Sequence, residues 1–262
     1  MVKGERHFVL IHGANYGAWC WYKVATMLKS AGDKVTTLDM AACGMNRKRV
    51  EDIGSISEYH EPLITFMDSL LPKEKVILVG HSFGGISISV AMERFPENIS
   101  VAIFVAAFVI SETLTYPTII QELKLRRKSS LMDTNYLFFD GPNNPPTAIL
   151  FGPKFMESNM YQLSPPEDLT LALSLVRPFP LFGDEEKLLK ETRVTNDKNG
   201  RVPKVFIISK EDNLMTEDSQ IWMIERTGPY DEVKVIKNSD HMLMFSNPQE
   251  LSSLLLHIAG KY

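Results

Sequence analysis

The chain has 262 residues, enough for one large α/β core, and its 44% hydrophobic content is ordinary for a globular protein. A net charge of −4 argues against nucleic acid or an anionic membrane as the main partner. No apolar run approaches the roughly 20 residues of a membrane span, and Cys20 and Cys43 lack metal-ligand spacing, so neither a membrane nor a metal is expected.

In chain order, Met1–His7 leads into a short strand, not into an apolar export core. The expectation is a cytoplasmic protein with reduced thiols. His7–Ile11 is the strand, ending in the loop His12-Gly13-Ala14. Trp19–Ala31 carries apolar residues at helical spacing and is closed by Gly32. Lys34–Leu38 is a second strand, and Ser57–Leu71 is a helix interrupted by Pro62 that puts His60 on the surface. The apolar run Lys75–Val79 then meets Gly80-His81-Ser82-Phe83-Gly84, followed by a helical stretch to Phe95. Gly-x-Ser-x-Gly between a strand and a helix is the setting of a nucleophile elbow, a turn that lifts the serine Oγ above the sheet.

Ser100–Val109 is a further buried strand, so strands alternate with helices and a parallel sheet is expected. The alternation then stops. Residues 110–201 are rich in proline and large apolar side chains, with a helix over Pro166–Val176. A structureless loop of that length is improbable, and a mainly helical cap inserted into the sheet explains it better. The core therefore comprises residues 1–109 and 202–262, and the cap residues 110–201. The basic cluster Lys124, Arg126, Arg127 and Lys128 is expected to be a solvated helix face. Val202–Ser209 and Glu232–Ile236 return to the sheet, and Gln249–Lys261 closes the chain as an amphipathic helix.

A serine hydroxyl needs a base. After an elbow serine the chain order is Asp or Glu, then His. His241, in the loop after the Glu232–Ile236 strand, is the histidine in the right place. Asp212, just past Val205–Ser209, is the preferred acid, with Glu211 and Asp240 as competitors. The developing oxyanion would take the backbone N–H of Phe83 and, from the first loop, of Ala14.

These segments, with Gly17–Lys23, Phe151–Phe155, Ser164–Leu169, Leu175–Pro178 and Asp240-His241-Met242, resemble the plant methylesterase and hydroxynitrile lyase family from end to end. The resemblance implies an α/β-hydrolase fold with a cap, no cofactor and a homodimer. It maps the family's serine, acid and base onto Ser82, Asp212 and His241. The lyases carry threonine where this chain has Gly13 and lysine where it has Met242. An uncharged thioether cannot hold a cyanide leaving group, so the two positions point to ester hydrolysis. Methylketone synthases of the same kinship lack the serine that stands here at position 82. Asn15-Tyr16 and the tryptophan-free Leu131–Thr134 depart from salicylate-processing relatives, which leaves room for a bulkier alkaloid-type ester, with decarboxylation after hydrolysis where the product is a β-carbonyl acid. The expected pocket is formed by Gly13, Asn15, Leu131, Phe151, Met156, Leu175, Leu181 and Met242. The expected partner is a small-molecule ester. The alternatives are a lyase in the same pocket and a ligand receptor with little turnover.

Overall fold

Uninterrupted apolar strands form the centre of the molecule. The computed structural model describes residues 6–126 and 130–262, so Met1–Glu5 and, from the basic cluster, Arg127 and Lys128 lie outside the described residues. The core strands are β1 (His7–Ile11), β2 (Lys34–Leu38), β3 (Val76–His81), β4 (Ile99–Val105) and, after a long insertion, two more. Numbered past three short strands of the insertion, β5 (Asn135–Leu137), β6 (Ala148–Leu150) and β7 (Phe179–Pro180), these are β8 (Lys204–Ser209) and β9 (Glu232–Ile236). The six core strands pair in parallel in the order β2-β1-β3-β4-β8-β9.

The burial of each strand follows from its place. β1, β3 and β8 are buried throughout, because helices cover both faces of a parallel sheet. The edge strand β9 alternates, with Val233 and Val235 exposed and Glu232 and Lys234 paired to each other, which keeps the free edge from recruiting another strand. On one face α1 (Tyr22–Ser30) packs against the last helix through Val24, Leu28, Leu251 and Leu255. The other face carries α2 (Ile56–Asp68) and α3 (Gly84–Arg94), packed through Tyr59, Leu63 and Ile88.

β4 stops at Val105, four residues short of the sequence expectation. Ala106 adopts φ 40°, and the left-handed turn ends the ladder and redirects the chain. Between β4 and β8 lie α4 (Tyr116–Arg126), α5 (Pro153–Asn159), α6 (Pro166–Leu175) and α7 (Glu185–Glu191). With them β5, β6 and β7 form an antiparallel sheet, so this stretch is helical with a small sheet added. The chain closes with α8 (Glu217–Thr227), α9 (Leu243–Ser246) and α10 (Pro248–Ala259). No helix among the described residues is long and apolar enough to cross a membrane.

His60 corrects the sequence reading. It lies in α2 but is 1% exposed, with its ring against Tyr59 and Phe83. Burial holds its imidazole down to about 3. Between that value and the ordinary range near 6.5, the unfolded chain binds a proton at this site and the folded one does not. Stability is therefore complete above the upper end of the window and is lost as pH falls through it, by at most about 1.4 kcal/mol per pH unit for one proton. Urea midpoints measured from pH 7 to pH 5 should fall more steeply for the native protein than for His60→Phe. Parallel slopes would remove His60 from the acid response.

Candidate active site

β3 delivers Ser82 to the carboxyl edge of the sheet. Its φ is 53°, a left-handed conformation that L residues avoid, held by tethers from both neighbours. Ser82 N–H donates to the Val105 carbonyl at 3.3 Å, and the Ser82 carbonyl accepts from Gly85 N–H at 3.1 Å and Phe108 N–H at 3.0 Å. A side chain at Gly85 would bring its Cβ within 2.0 Å of the Phe108 carbonyl oxygen, so the turn closes only with glycine there.

The loops after β8 and β9 meet beside it. His241 Nδ1–H donates to Asp212 Oδ2 at 2.7 Å, both side chains fully buried. Asp212 Oδ1 accepts from the N–H groups of Leu214 and Met215 at 2.8 Å each, which fixes the carboxylate plane. The other two carboxylates have different work. Glu211 accepts from Ser239 N–H. Asp240 accepts from Leu163 N–H, Ser164 Oγ–H and Met242 N–H at 2.8–3.0 Å, tying the insertion to the histidine loop. Burial raises the Asp240 pKa above the usual carboxylate range. His241 Nε2 is buried and has no hydrogen-bond partner among the described residues. An imidazole oriented in this way can accept a proton at Nε2 while the carboxylate balances the resulting charge.

Two further histidines frame the group. His81 bonds the His241 carbonyl through Nε2 at 2.8 Å, and its ring centroid lies 4.7 Å from that of His241. Burial, with His241 and His12 nearby, holds its pKa well down. His12 bonds the Gly13 carbonyl through Nδ1 at 2.8 Å, and its Nε2 accepts from Met40 N–H at 3.1 Å, so the imidazole is neutral with the proton on Nδ1. Burial depresses its pKa too. His12 thereby shapes the loop that carries Ala14. The backbone N–H groups of Ala14 and Phe83 have no hydrogen-bond partner among the described residues.

Ser82, His241, Gly13, Ala14 and Phe83 all border one cavity of about 360 Å³ under the insertion. Of the expected pocket residues, Gly13, Leu131, Phe151 and Leu181 line it, and four do not. The Asn15 amide donates to the carbonyls of Ile149 and Arg177 at 2.8 Å each, so it staples the insertion to the core. Met156 points into the apolar core under α5. Leu175 is 38% exposed at the end of α6. Met242 is fully buried among core residues. Tyr16, named with Asn15 in the sequence reading, lines the cavity, and that reading missed Phe108, Tyr116, Ile120, Leu214 and Met215, which also line it. Tyr116, Ile120, Leu123 and Lys124 stand at helical spacing on one face of α4, a signal present in the sequence but without a partner surface to interpret it. Lys124 is exposed on α4, as expected of a solvated helix charge, and it also borders the cavity.

A Cβ at Gly13 would lie 2.9 Å from Ser82 Cβ and 3.3 Å from its Oγ. Gly13→Thr should therefore displace the serine and lower kcat for ester turnover on the order of 10²-fold, with little change in melting temperature. Steady-state kinetics on the purified variant measures this, and an unchanged kcat would contradict the placement.

Among the described residues no three His, Cys, Asp or Glu side chains group as ligands for a metal ion. A parallel sheet with a left-handed serine at a strand–helix turn, an insertion above it and an Asp–His pair beside it defines an α/β-hydrolase architecture. The model of the alpha/beta hydrolase family matches residues 8–254. Methyl jasmonate esterase 1 of Vitis vinifera is 57% identical over 262 residues, covering 100% of each chain. Tomato methylketone synthase I with bound 2-tridecanone superposes with a TM-score of 0.93 at 44% identity, over 98% of this chain and 99% of that one. Polyneuridine aldehyde esterase superposes with a TM-score of 0.90 at 40% identity, over 97% and 99%. The chain belongs to the alpha/beta hydrolase family and, within it, to the plant methylesterases.

Proposed function

We propose that this protein is a serine carboxylesterase that hydrolyses the methyl esters of small carboxylic acids. The observation that carries the reading is the 2.7 Å contact of His241 Nδ1 with Asp212, which leaves Nε2 unpartnered beside the cavity that Ser82 borders. His241 Nε2 takes the Ser82 Oγ proton as Oγ bonds to the ester carbonyl carbon. The oxyanion accepts hydrogen bonds from the N–H groups of Ala14 and Phe83, a reading supported by their having no partner among the described residues. The intermediate collapses, the C–OCH₃ bond breaks, and His241 returns the proton to the leaving methanol. Water then attacks the acyl-enzyme with His241 again as base, releasing the acid and restoring Ser82.

The apolar walls, with Phe108, Phe151, Phe179 and Leu181, suit a hydrophobic acyl group. The jasmonoyl ester named for the grape relative is the first substrate to try. A lyase reading gains nothing from Met242, which is uncharged and packed in the core. Residues 110–201 act in this reading as the cap over the site. The family kinship supports a homodimer, which sedimentation velocity measures directly. The two free, buried cysteines suit a reducing cytoplasm. The test is a panel of methyl esters, including methyl jasmonate, with methanol and product mass as readouts. Methanol release in step with acid formation is expected, with any loss of carbon dioxide visible in the same mass. A panel left intact, or cyanohydrins cleaved faster than every ester, would overturn the reading.

A further inference from the structure

Apart from Ser82 at the floor, the walls of the cavity are apolar or aromatic, with one departure. Among the described residues Lys124 is the only Lys, Arg, Asp or Glu that borders it. Its neighbours on the same face of α4 are Tyr116, Ile120 and Leu123. The floor is buried, with His241 fully buried and Ser82 8% exposed, whereas Lys124 is exposed and Tyr136 is 42% exposed. The cavity thus runs from the serine outward to Lys124. The lysine ammonium has no hydrogen-bond or ion-pair partner among the described residues. Its nearest acidic neighbour in sequence, Glu122, is taken by Arg126 Nε at 2.8 Å. A cation in the last turn of a helix is favourable for the macrodipole, but that accounts only for its place along the helix. It does not account for a lysine on the border of an otherwise greasy cavity.

We propose that Lys124 is a specificity-determining residue that selects methyl esters whose acyl chain ends in an anionic group, such as the monomethyl esters of dicarboxylic acids. This rests on the esterase reading and deepens it. With the ester carbonyl at Ser82, the far end of an extended acyl chain lies toward the mouth, where Lys124 is the cation among the described residues that can meet it. Lys124 is exposed, so the pair acts as a salt-screened surface pair whose effect on affinity is a few-fold at most. A neutral ester gains nothing from the lysine. Selectivity is the difference between the two.

The experiment compares a chain-length series of monomethyl dicarboxylates with methyl alkanoates of matched length, on the native protein and on Lys124→Ala, Lys124→Glu and Lys124→Arg. For the best chain length, the ratio of kcat/KM for half-ester over neutral ester should fall roughly threefold to fivefold in Lys124→Ala. It should fall further in Lys124→Glu and recover in Lys124→Arg. The change should lie mainly in KM for the half-ester, and the native ratio should decline as salt rises. A ratio that is the same in the native protein and all three variants overturns the role of Lys124 while neutral-ester turnover leaves the esterase reading intact. Failure of the native protein to hydrolyse either series overturns both.

Discussion

Ser82→Ala should abolish methanol release from every methyl ester, with a loss in kcat/KM on the order of 10⁴-fold or more, and should leave the fold unchanged. The size of the effect follows from what the hydroxyl does. It supplies the attacking atom, and without it the remaining groups can only assist water. The harmlessness to the fold follows from its surroundings. The tethers that hold the turn run through the Ser82 backbone, to Val105, Gly85 and Phe108, and alanine keeps all three. The left-handed φ of 53° strains alanine about as much as serine. Affinity for the free acid product should therefore stay within about threefold of the native value, a shift below 1 kcal/mol. Methanol release and product-binding calorimetry on the same preparation separate loss of chemistry from loss of structure. Retained turnover would mean that another group attacks.

Asp212→Asn should be nearly as damaging, on the order of 10⁴-fold in kcat, although it changes the side chain by one atom. The N–H groups of Leu214 and Met215 both point at Oδ1, so the asparagine places its carbonyl oxygen there and turns its NH₂ toward His241. That donor must be met by an unprotonated Nδ1, which moves the imidazole proton to Nε2, the nitrogen that should receive the serine proton. The imidazole is then in the wrong tautomer with its position unchanged. Asp240→Asn is the control. Its carboxylate accepts from Leu163, Ser164 and Met242, so that variant should loosen the loop and lower the melting temperature without the same collapse in kcat. Steady-state rates and melting curves for the pair measure this. Equal kinetic losses in both would deny Asp212 its special place.

How much of this is legible in the sequence depends on how local the cause is. The buried strands are, because a strand covered on both faces must be apolar throughout, as β1 and β3 are. The elbow is, because the close approach behind Gly85 restricts the residue type. Asp212 is preferred in the sequence for its place just past β8 and by the family resemblance. What separates it from Glu211 and Asp240 in the structure is its hydrogen bond with His241, 29 positions away, while Asp240 is bound to Leu163, 77 positions away. The short strands β5, β6 and β7 span two or three residues each, too few to display a period. His60 looks like a surface residue in a helical stretch until Tyr59 and Phe83 close over it. The cavity walls come from helix faces and loops brought together by tertiary packing. Spacing therefore finds the face of α4 but not what that face covers, and Asn15, Met156, Leu175 and Met242 fall elsewhere.

The most direct test is to catch the covalent step. The native enzyme is mixed with an activated ester of an accepted acid, quenched within the first turnover and digested for peptide mass mapping. The expected result is one equivalent of acyl group, the acid less water, on the peptide containing Ser82. The adduct should be missing from Ser82→Ala and formed far more slowly in Asp212→Asn. Full turnover with Ser82 unmodified at every quench time, or an acyl group on another residue, would contradict a hydroxyl made nucleophilic by His241 and Asp212.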